Sequence, residues 1–340
     1  MTLEMSNYWD DFEQRVKETC AALEKGELPP LRRLTVHLTQ GCNLQCAYCN
    51  MENAPRTIDE DLTYKIIEEY KEIGGQTIHF TGGEPTIVPF FLDICEYAKD
   101  IGLVTSANTN AVKRVDTTNI DKLKASFDVT DRKEYAEIVG VDCFDKVVEN
   151  LKHYSESMKG KMLSITAVVD KTTFRGMLDL AEFVYDNFEV YNLYFSSYKG
   201  FNKERTLSEV EVEELFMIHI PDTLNFFKKV GADYSYKQLA LYKPGDFADT
   251  RNRFEYVPCS IQLSEMTIDV DGVCHNCSHL YRDGDREYIS VLCSPLGECF
   301  KMLKQNVRWE NCISENCLSG CNTNLMGFNR AIQEKMCVRV

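Results

Sequence analysis

The sequence predicts an α/β fold followed by a small cysteine-rich C-terminal region, on three observations. Six strand-like runs alternate with segments of helical periodicity. The first of these runs opens directly onto a cysteine triplet, and nine of the chain's fifteen cysteines crowd between Cys259 and Cys337. Parallel neighbours cannot be joined by tight turns, so such alternation implies a parallel sheet with helical crossovers. Six units can close into a partial barrel or stay an open sheet, and the pattern alone does not choose. At 340 residues and 44% hydrophobic content, the chain can bury one large core and a smaller module without staples.

In chain order, residues 1–30 read as a short helix ending at Gly26, before the breaker pair Pro29-Pro30. The strand-like runs are 34–39, 77–80, 103–107, 123–127, 162–169 and 190–195, with helical periodicity over 58–73, 89–99, 143–154 and 174–185. A further helical stretch covers 208–230. An irregular segment rich in Tyr, Asp and Arg follows, giving an expected division into a helical segment (1–30), an α/β part (31–230), a linker (231–256) and a cysteine-rich module (257–340).

The first twenty residues have neither the basic nor the apolar part of a secretory signal. No run approaches the roughly 18 apolar residues of a membrane span. The expectation is a cytoplasmic protein with no membrane partner, whose clustered cysteines serve metal and not disulfides. The formal net charge of −15 argues against a nucleic-acid partner, because phosphate binding draws on Lys and Arg.

The first cysteine cluster lies in HLTQGCNLQCAYCN, at the C-terminal end of the first strand, where α/β enzymes gather catalytic groups. Three thiolates on one short loop, Cys42, Cys46 and Cys49, can each take one iron of a [4Fe–4S] cluster and leave the fourth open to a non-protein ligand. Zinc competes, but a structural zinc site wants four ligands; His37 could supply the fourth, although a histidine in a strand is more often packed in the core. The C-x3-C-x-aromatic-C spacing, with Tyr48 as the aromatic, resembles the signature of the radical S-adenosylmethionine (SAM) superfamily. That resemblance implies a partial (β/α)6 barrel, chelation of the open iron by SAM, and reductive cleavage of SAM to a 5′-deoxyadenosyl radical that takes a hydrogen atom from the substrate.

At the end of the second strand, Gly82-Gly83-Glu84-Pro85 is similar to the family's GGEP element, which meets the methionyl ammonium of SAM. Glycines allow close backbone approach to a ligand, and Glu84 can accept from an ammonium; the bland alternative is a glycine turn opening a helix at Pro85. The next strand ends carry Asn110, Ser126 and Asp128, where the resemblance implies contacts to SAM or substrate, although Asn and Asp are also ordinary turn residues. Asp170 and the run 196–198 are further lining candidates.

The C-terminal cysteines resemble the SPASM/Twitch extension of the same superfamily, which holds one or two auxiliary [4Fe–4S] clusters. Cys259, Gly272 and Cys277 match its first half. Cys312, Cys317, Cys321 and Cys337 match its second half with two departures: Trp309 stands where a cysteine is expected, and one gap is shorter by a residue. The resemblance implies that Cys259, Cys277 and Cys321 serve the nearer cluster, with Cys274 as a possible fourth ligand. Cys312, Cys317 and Cys337 would serve the other, with Cys299 or Cys293 replacing the missing residue. A zinc ribbon around Cys274 and Cys277, with His275 and His279 beside them, is the competing reading. Cys20, Cys95 and Cys143 lie in helical segments and read as core residues.

The function so implied is radical SAM chemistry on a ribosomally made peptide (cross-linking, epimerisation or oxidation), with flavodoxin or ferredoxin as electron donor. The alternatives are a radical epimerase, dehydratase or oxidase acting on a sugar or aminoglycoside-like small molecule, and a non-enzymatic binding protein whose cysteines merely hold metal for folding.

Overall fold

The computed structural model describes residues 8–198, 202–247, 261–277 and 289–305, with Phe328, Ala331, Ile332 and 334–336. Its frame is an eight-stranded sheet. The six expected strands are β1 (Arg33–Thr39), β2 (Thr77–Gly82), β3 (Val104–Thr109), β4 (Lys122–Ser126), β5 (Met162–Val169) and β6 (Asn192–Ser197). They pair side by side in chain order, all parallel. A strictly sequential order has no reversal point, so right-handed crossovers put every helix on the same face and the sheet curls as a barrel wall does. This chooses the partial barrel over the doubly wound sheet.

The crossovers form where expected, with sharper ends. α2 (Glu60–Glu72) starts at Asp59, whose carboxylate caps the Leu62 N–H at 2.9 Å. α3 (Phe91–Asp100) and α5 (Phe144–Ser157) follow the periodicity, and α6 (Met177–Asn187) is entered through a 3₁₀ turn at Phe174–Gly176. One helix escaped the sequence reading: α4 (Arg132–Val139), capped by Asp131 and ended by Gly140 in the left-handed conformation. Cys20, Cys95 and Cys143 are buried, as expected of core residues.

The strands are two-faced. Outward residues, among them Val36, Phe80, Ala107, Leu123, Ile165 and Phe195, are buried against the helices. Alternate residues facing the lumen are polar: His79, Ser106, Lys124, Thr166 and Tyr194 are examples. In β3, β4 and β5 this inner row is partly solvent-accessible while its neighbours are buried.

Beyond residue 198 the structure departs from the expected division. The 208–230 stretch is α7 (Glu209–Glu214), a π-helical turn (Leu215–His219) and α8 (Ile220–Val230). Residues 231–256, read as a linker, contain α9 (Asp233–Ala240). It was missed because its buried face is largely polar, made of Ser235, Gln238 and Leu239. α9 closes the free edge of β6: Ser235 Oγ accepts the Leu193 N–H at 2.8 Å and pairs with the Tyr185 hydroxyl at 2.7 Å.

The C-terminal region also enters the sheet. After α10 (Ile261–Ser264), β7 (Glu265–Ile268) pairs parallel with β1, and β8 (Cys274–His275) pairs antiparallel with β7. The sheet therefore continues past the boundary expected near residue 256. α11 (Leu296–Lys304) packs on β8 and α2. The first helix, α1 (Tyr8–Glu24), forms a small separate core through Val16 and Cys20 with Phe328 and Ile332. Among the described residues no helix is long and apolar enough to cross a membrane.

Ser235→Ala would leave the Leu193 amide and the Tyr185 hydroxyl without this partner in a buried setting. The expected cost is about 1–3 kcal/mol, read as a lower denaturation midpoint; an unchanged midpoint would show that the edge is held by other means.

Candidate functional site

The cysteine triplet, the glycine pair and the polar strand ends meet at the C-terminal mouth of the sheet. Their meeting depends on backbone contact. Gly83 N–H donates to the Thr39 carbonyl at 2.6 Å, and Glu84 N–H to the Gly41 carbonyl at 2.9 Å. A Cβ on Gly83 would lie 2.1 Å from the Gly41 oxygen, and one on Gly82 2.2 Å from the Thr39 oxygen. Gly82 also has φ of 140°, a conformation L side chains avoid. The glycines thus seat the turn after β2 directly on the residues that lead into Cys42.

The loop itself is clamped from two further sides. Asn53 accepts from the Cys42 N–H and donates to the Cys42 carbonyl, both at 3.0 Å. Gln45 and Ala47 give their N–H groups to Val139 and Ile138, the last carbonyls of α4, which have no partner within the helix. Nothing in the sequence around Asn53 or α4 signals these roles, since each partner is remote in the chain.

Glu84 sits in the middle. Its carboxylate is 1% exposed. Oε1 accepts from the Thr86 N–H at 3.2 Å and from the Thr86 and Thr109 hydroxyls, and Oε2 accepts the Asn110 N–H at 2.7 Å. Burial pushes its pKa up, and these donors work against that shift. The residue also caps the 3₁₀ turn opened by Pro85. Asn110, so placed, donates to Asn43 Oδ1 at 2.7 Å and to the Cys42 sulfur at 3.8 Å.

On the other side of the triplet, the Tyr48 hydroxyl donates to Asp128 Oδ2 at 2.8 Å, and Asp128 Oδ1 accepts the Val168 N–H at 2.8 Å. Burial raises Asp128 to about 6. Asp170, fully buried beside it, is held by Arg205 and by the Thr172 and Thr173 amides. Ser126 ends β4 on the inner face opposite Thr166.

Two thiols of the triplet respond to burial in the same direction. Cys42 is raised, and Cys46 is pushed up to about 12, with Asp128 and the other two thiols adding to the effect. A cationic centre would reverse that shift and hold all three as thiolates. Among the described residues no three His, Cys, Asp or Glu side chains converge on one point as a mononuclear ion requires. A four-iron cluster places each thiolate on a different iron, and three thiols spread along one loop fit it.

In the C-terminal region, Cys274 and Cys299 are fully buried and near enough for each thiol to shift the other's titration, while the Cys299 thiol donates to the Ser294 carbonyl at 3.4 Å. The resemblance implies Cys274 as a possible ligand of the nearer cluster and Cys299 or Cys293 as a ligand of the other; packing of α11 on β8 sets Cys274 and Cys299 near one another. Cys277 is half-buried and Cys293 exposed. Cys259, Cys312, Cys317, Cys321 and Cys337 lie outside the described residues, as do Trp309 and His279.

Residues 36–184 match the family model of the Radical SAM superfamily. This part of the chain, which contains the triplet and the glycine turn, is a radical SAM domain of that superfamily, whose members use a [4Fe–4S] cluster and SAM. Among curated proteins, the chain is similar to a "Probable GTP 3',8-cyclase" of Pyrococcus abyssi, 30% identical over 132 residues, covering 36% of this chain and 43% of that protein. It is also 35% identical over 81 residues to the PqqA peptide cyclase of Bradyrhizobium diazoefficiens, covering 23% of this chain and 21% of the relative. The chain thus spans less than half the length of these relatives. In fold it is similar to Streptococcus suis SuiB bound to precursor peptide SuiA, at TM-score 0.64 and 17% identity over 95% of this chain and 76% of that one. A second likeness is to anSMEcpe with bound AdoMet and Cp18Cys peptide, at TM-score 0.57 and 18% identity over 92% and 98%.

Two predictions follow from the geometry. Gly83→Ala forces backbone apart next to Cys42 and is expected to cut the iron retained after anaerobic reconstitution, whereas Gly245→Ala, which meets nothing within 4 Å, leaves it unchanged. Equal iron in both variants would refute the close-approach role. Asp128 binds its proton more tightly in the native chain than in the unfolded one, where its pKa is about 3.9. Its stabilising contribution is therefore complete below about pH 4 and lost as pH rises through about 6. Asp128→Asn should flatten this part of the pH dependence, on the order of 1–3 kcal/mol, when urea midpoints at pH 5 and pH 7 are compared with wild type.

Proposed function

We propose that the protein is a radical SAM enzyme acting on a peptide, with its [4Fe–4S] cluster on Cys42, Cys46 and Cys49. The observation that carries this reading is the three-thiol loop seated by Gly82 and Gly83 at the mouth of a parallel, sequentially ordered sheet. In this superfamily the cluster and SAM together supply a 5′-deoxyadenosyl radical capable of taking hydrogen from an unactivated C–H bond.

The chain's own residues have separable tasks. Glu84 Oε2 accepts only from Asn110 among the described residues, so it has capacity left for the methionyl ammonium. Asn110 directs an N–H toward the Cys42 sulfur, an interaction that tunes the potential of a cluster held there. Tyr48, locked by Asp128, presents its ring beside the triplet. Gly82, Gly83 and Pro85 set the turn, and Ser126 and Asp170 belong to the substrate-facing rim. The C-terminal cysteines hold auxiliary [4Fe–4S] clusters. Cys274 and Cys299, lying near one another, belong to the same cluster, and Cys259, Cys277, Cys312, Cys317, Cys321 and Cys337 supply the remaining thiolates of the two clusters. A small reductant protein such as flavodoxin or ferredoxin delivers the electron.

Peptide as substrate is supported by the fold likeness to SuiB and anSMEcpe, which spans nearly the whole chain, and by the local similarity to a peptide cyclase. A small-molecule substrate is the competing reading, favoured by the local similarity to GTP 3',8-cyclases. The decisive assay is anaerobic reduction of the reconstituted protein with SAM and measurement of 5′-deoxyadenosine. Replacing Cys42, Cys46 and Cys49 together by Ala is expected to abolish that product while iron remains bound at the C-terminal cysteines. Loss of all iron from a variant that keeps its circular dichroism would reject the two-region assignment.

A further inference from the structure

The segment that leaves β3 is strained at Ala111. This residue is completely buried, has φ of 59°, and is the one non-glycine residue with positive φ among the described residues. A side chain in the left-handed region costs energy, and such a residue persists only where its surroundings over-determine it. The determinants come from α5. Asn150 is buried, and its Nδ2 donates to the Ala111 carbonyl at 2.8 Å and to the Val112 carbonyl at 3.2 Å. Its Oδ1 accepts from Arg114 Nε at 2.8 Å, while the same guanidinium pairs with Glu149, the residue before Asn150. One turn further along the helix, the Tyr154 hydroxyl donates to the Lys113 carbonyl at 3.0 Å and accepts the Val115 N–H at 3.1 Å. Residues 111–115 are thus folded around three side chains of one helix.

The strained turn acts on the residue before it. Ala111 N–H donates to Thr109 Oγ1, and Val112 N–H turns back onto Asn110 Oδ1, both at 3.0 Å. That second bond orients the Asn110 amide. With Oδ1 turned toward Val112, the Nδ2 group faces the other way, where it meets Asn43 Oδ1 at 2.7 Å and the Cys42 sulfur at 3.8 Å. The reverse orientation would set an oxygen against the sulfur, a repulsive contact for a thiolate. The orientation of one amide beside the triplet therefore depends on a backbone conformation that α5 imposes.

We propose that Asn150 is a positioning residue for the cluster on Cys42, Cys46 and Cys49: it holds Ala111 left-handed, so that the Asn110 N–H stays on the Cys42 sulfur and raises the cluster's reduction potential. This rests on the cluster reading above and extends it to a helix residue whose own hydrogen bonds reach none of the three cysteines. A hydrogen bond to sulfur favours the reduced cluster, which carries one more negative charge. Its loss makes the cluster harder to reduce.

The test is an anaerobic redox titration of the reconstituted protein followed by electron paramagnetic resonance. The triplet's signal is the one that changes on adding SAM and is missing from the chain carrying Cys42→Ala, Cys46→Ala and Cys49→Ala. Asn150→Ala is expected to shift the reduction equilibrium of that signal on the order of fivefold toward the oxidised form, the worth of about one hydrogen bond. Asn110→Ala should give a similar shift, and the two together no more than either alone. Ala111→Gly added to Asn150→Ala should restore most of the wild-type potential, because glycine adopts the left-handed conformation without help; a general loosening of α5 would not be rescued in this way. An unchanged equilibrium in Asn150→Ala, additive shifts with Asn110→Ala, or no rescue by glycine overturns the proposal. Should Asn150→Ala not retain the cluster, its recovery on adding Ala111→Gly supports the coupling, and failure to recover it rejects the coupling. Absence of a SAM-responsive signal in wild type rejects the cluster reading itself, whereas a wild-type signal that Asn150→Ala leaves unmoved rejects this role alone.

Discussion

The candidate site depends on one close approach: the backbone at Gly82 and Gly83 against the backbone at Thr39 and Gly41. Two strand ends can share this space only when neither carries a side chain there. From that contact the other relations follow in sequence. Glu84, immediately after the pair, is driven inward, where it collects the amides and hydroxyls that end β2 and β3. Asn110 is thereby aimed at the Cys42 sulfur. A buried carboxylate is costly unless its oxygens are met by donors, and here four donors meet it, so the charge that would otherwise disrupt the mouth ties two strand ends together.

The sheet performs a second division of labour through its two faces. The outer face is apolar and carries the packing against the helices, which is where the stability of such a layer comes from. The inner face is relieved of that duty and can be polar. Closed eight-stranded α/β barrels fill their interior with branched apolar side chains, whereas this wall keeps His79, Ser106, Asn108 and Lys124 inside. The same alternation that defines a strand therefore separates the residues that hold the fold from those free to meet a ligand.

Much of this was legible in the sequence because the signals were local. The six strands and their crossovers showed in periodicity, and Cys42, Cys46 and Cys49 in spacing. The Glu84 network was not legible, since Thr109 and Asn110 reach it only through strand pairing. α9 was hidden because it buries Ser235 and Gln238, whose polarity masks an amphipathic pattern. β7 was hidden by its setting: it follows a one-turn helix and lies outside the run of strands alternating with long helices that marks the other six. The proximity of Cys274 and Cys299 needs a helix and a strand to be docked, which no spacing rule encodes.

The pairing of β7 with β1 has a consequence for how the chain reaches this state. β1 is made early and β7 near the far end, so one side of β1 has unpaired amides and carbonyls until the last part of the chain arrives. Closing so long a loop is slow, and an open strand edge invites pairing with other chains meanwhile. The strand that leads into the cysteine triplet is therefore completed by the C-terminal region. Maturation of the mouth is coupled to synthesis of the chain through β7, and a chain interrupted before residue 265 would leave that edge exposed to aggregation.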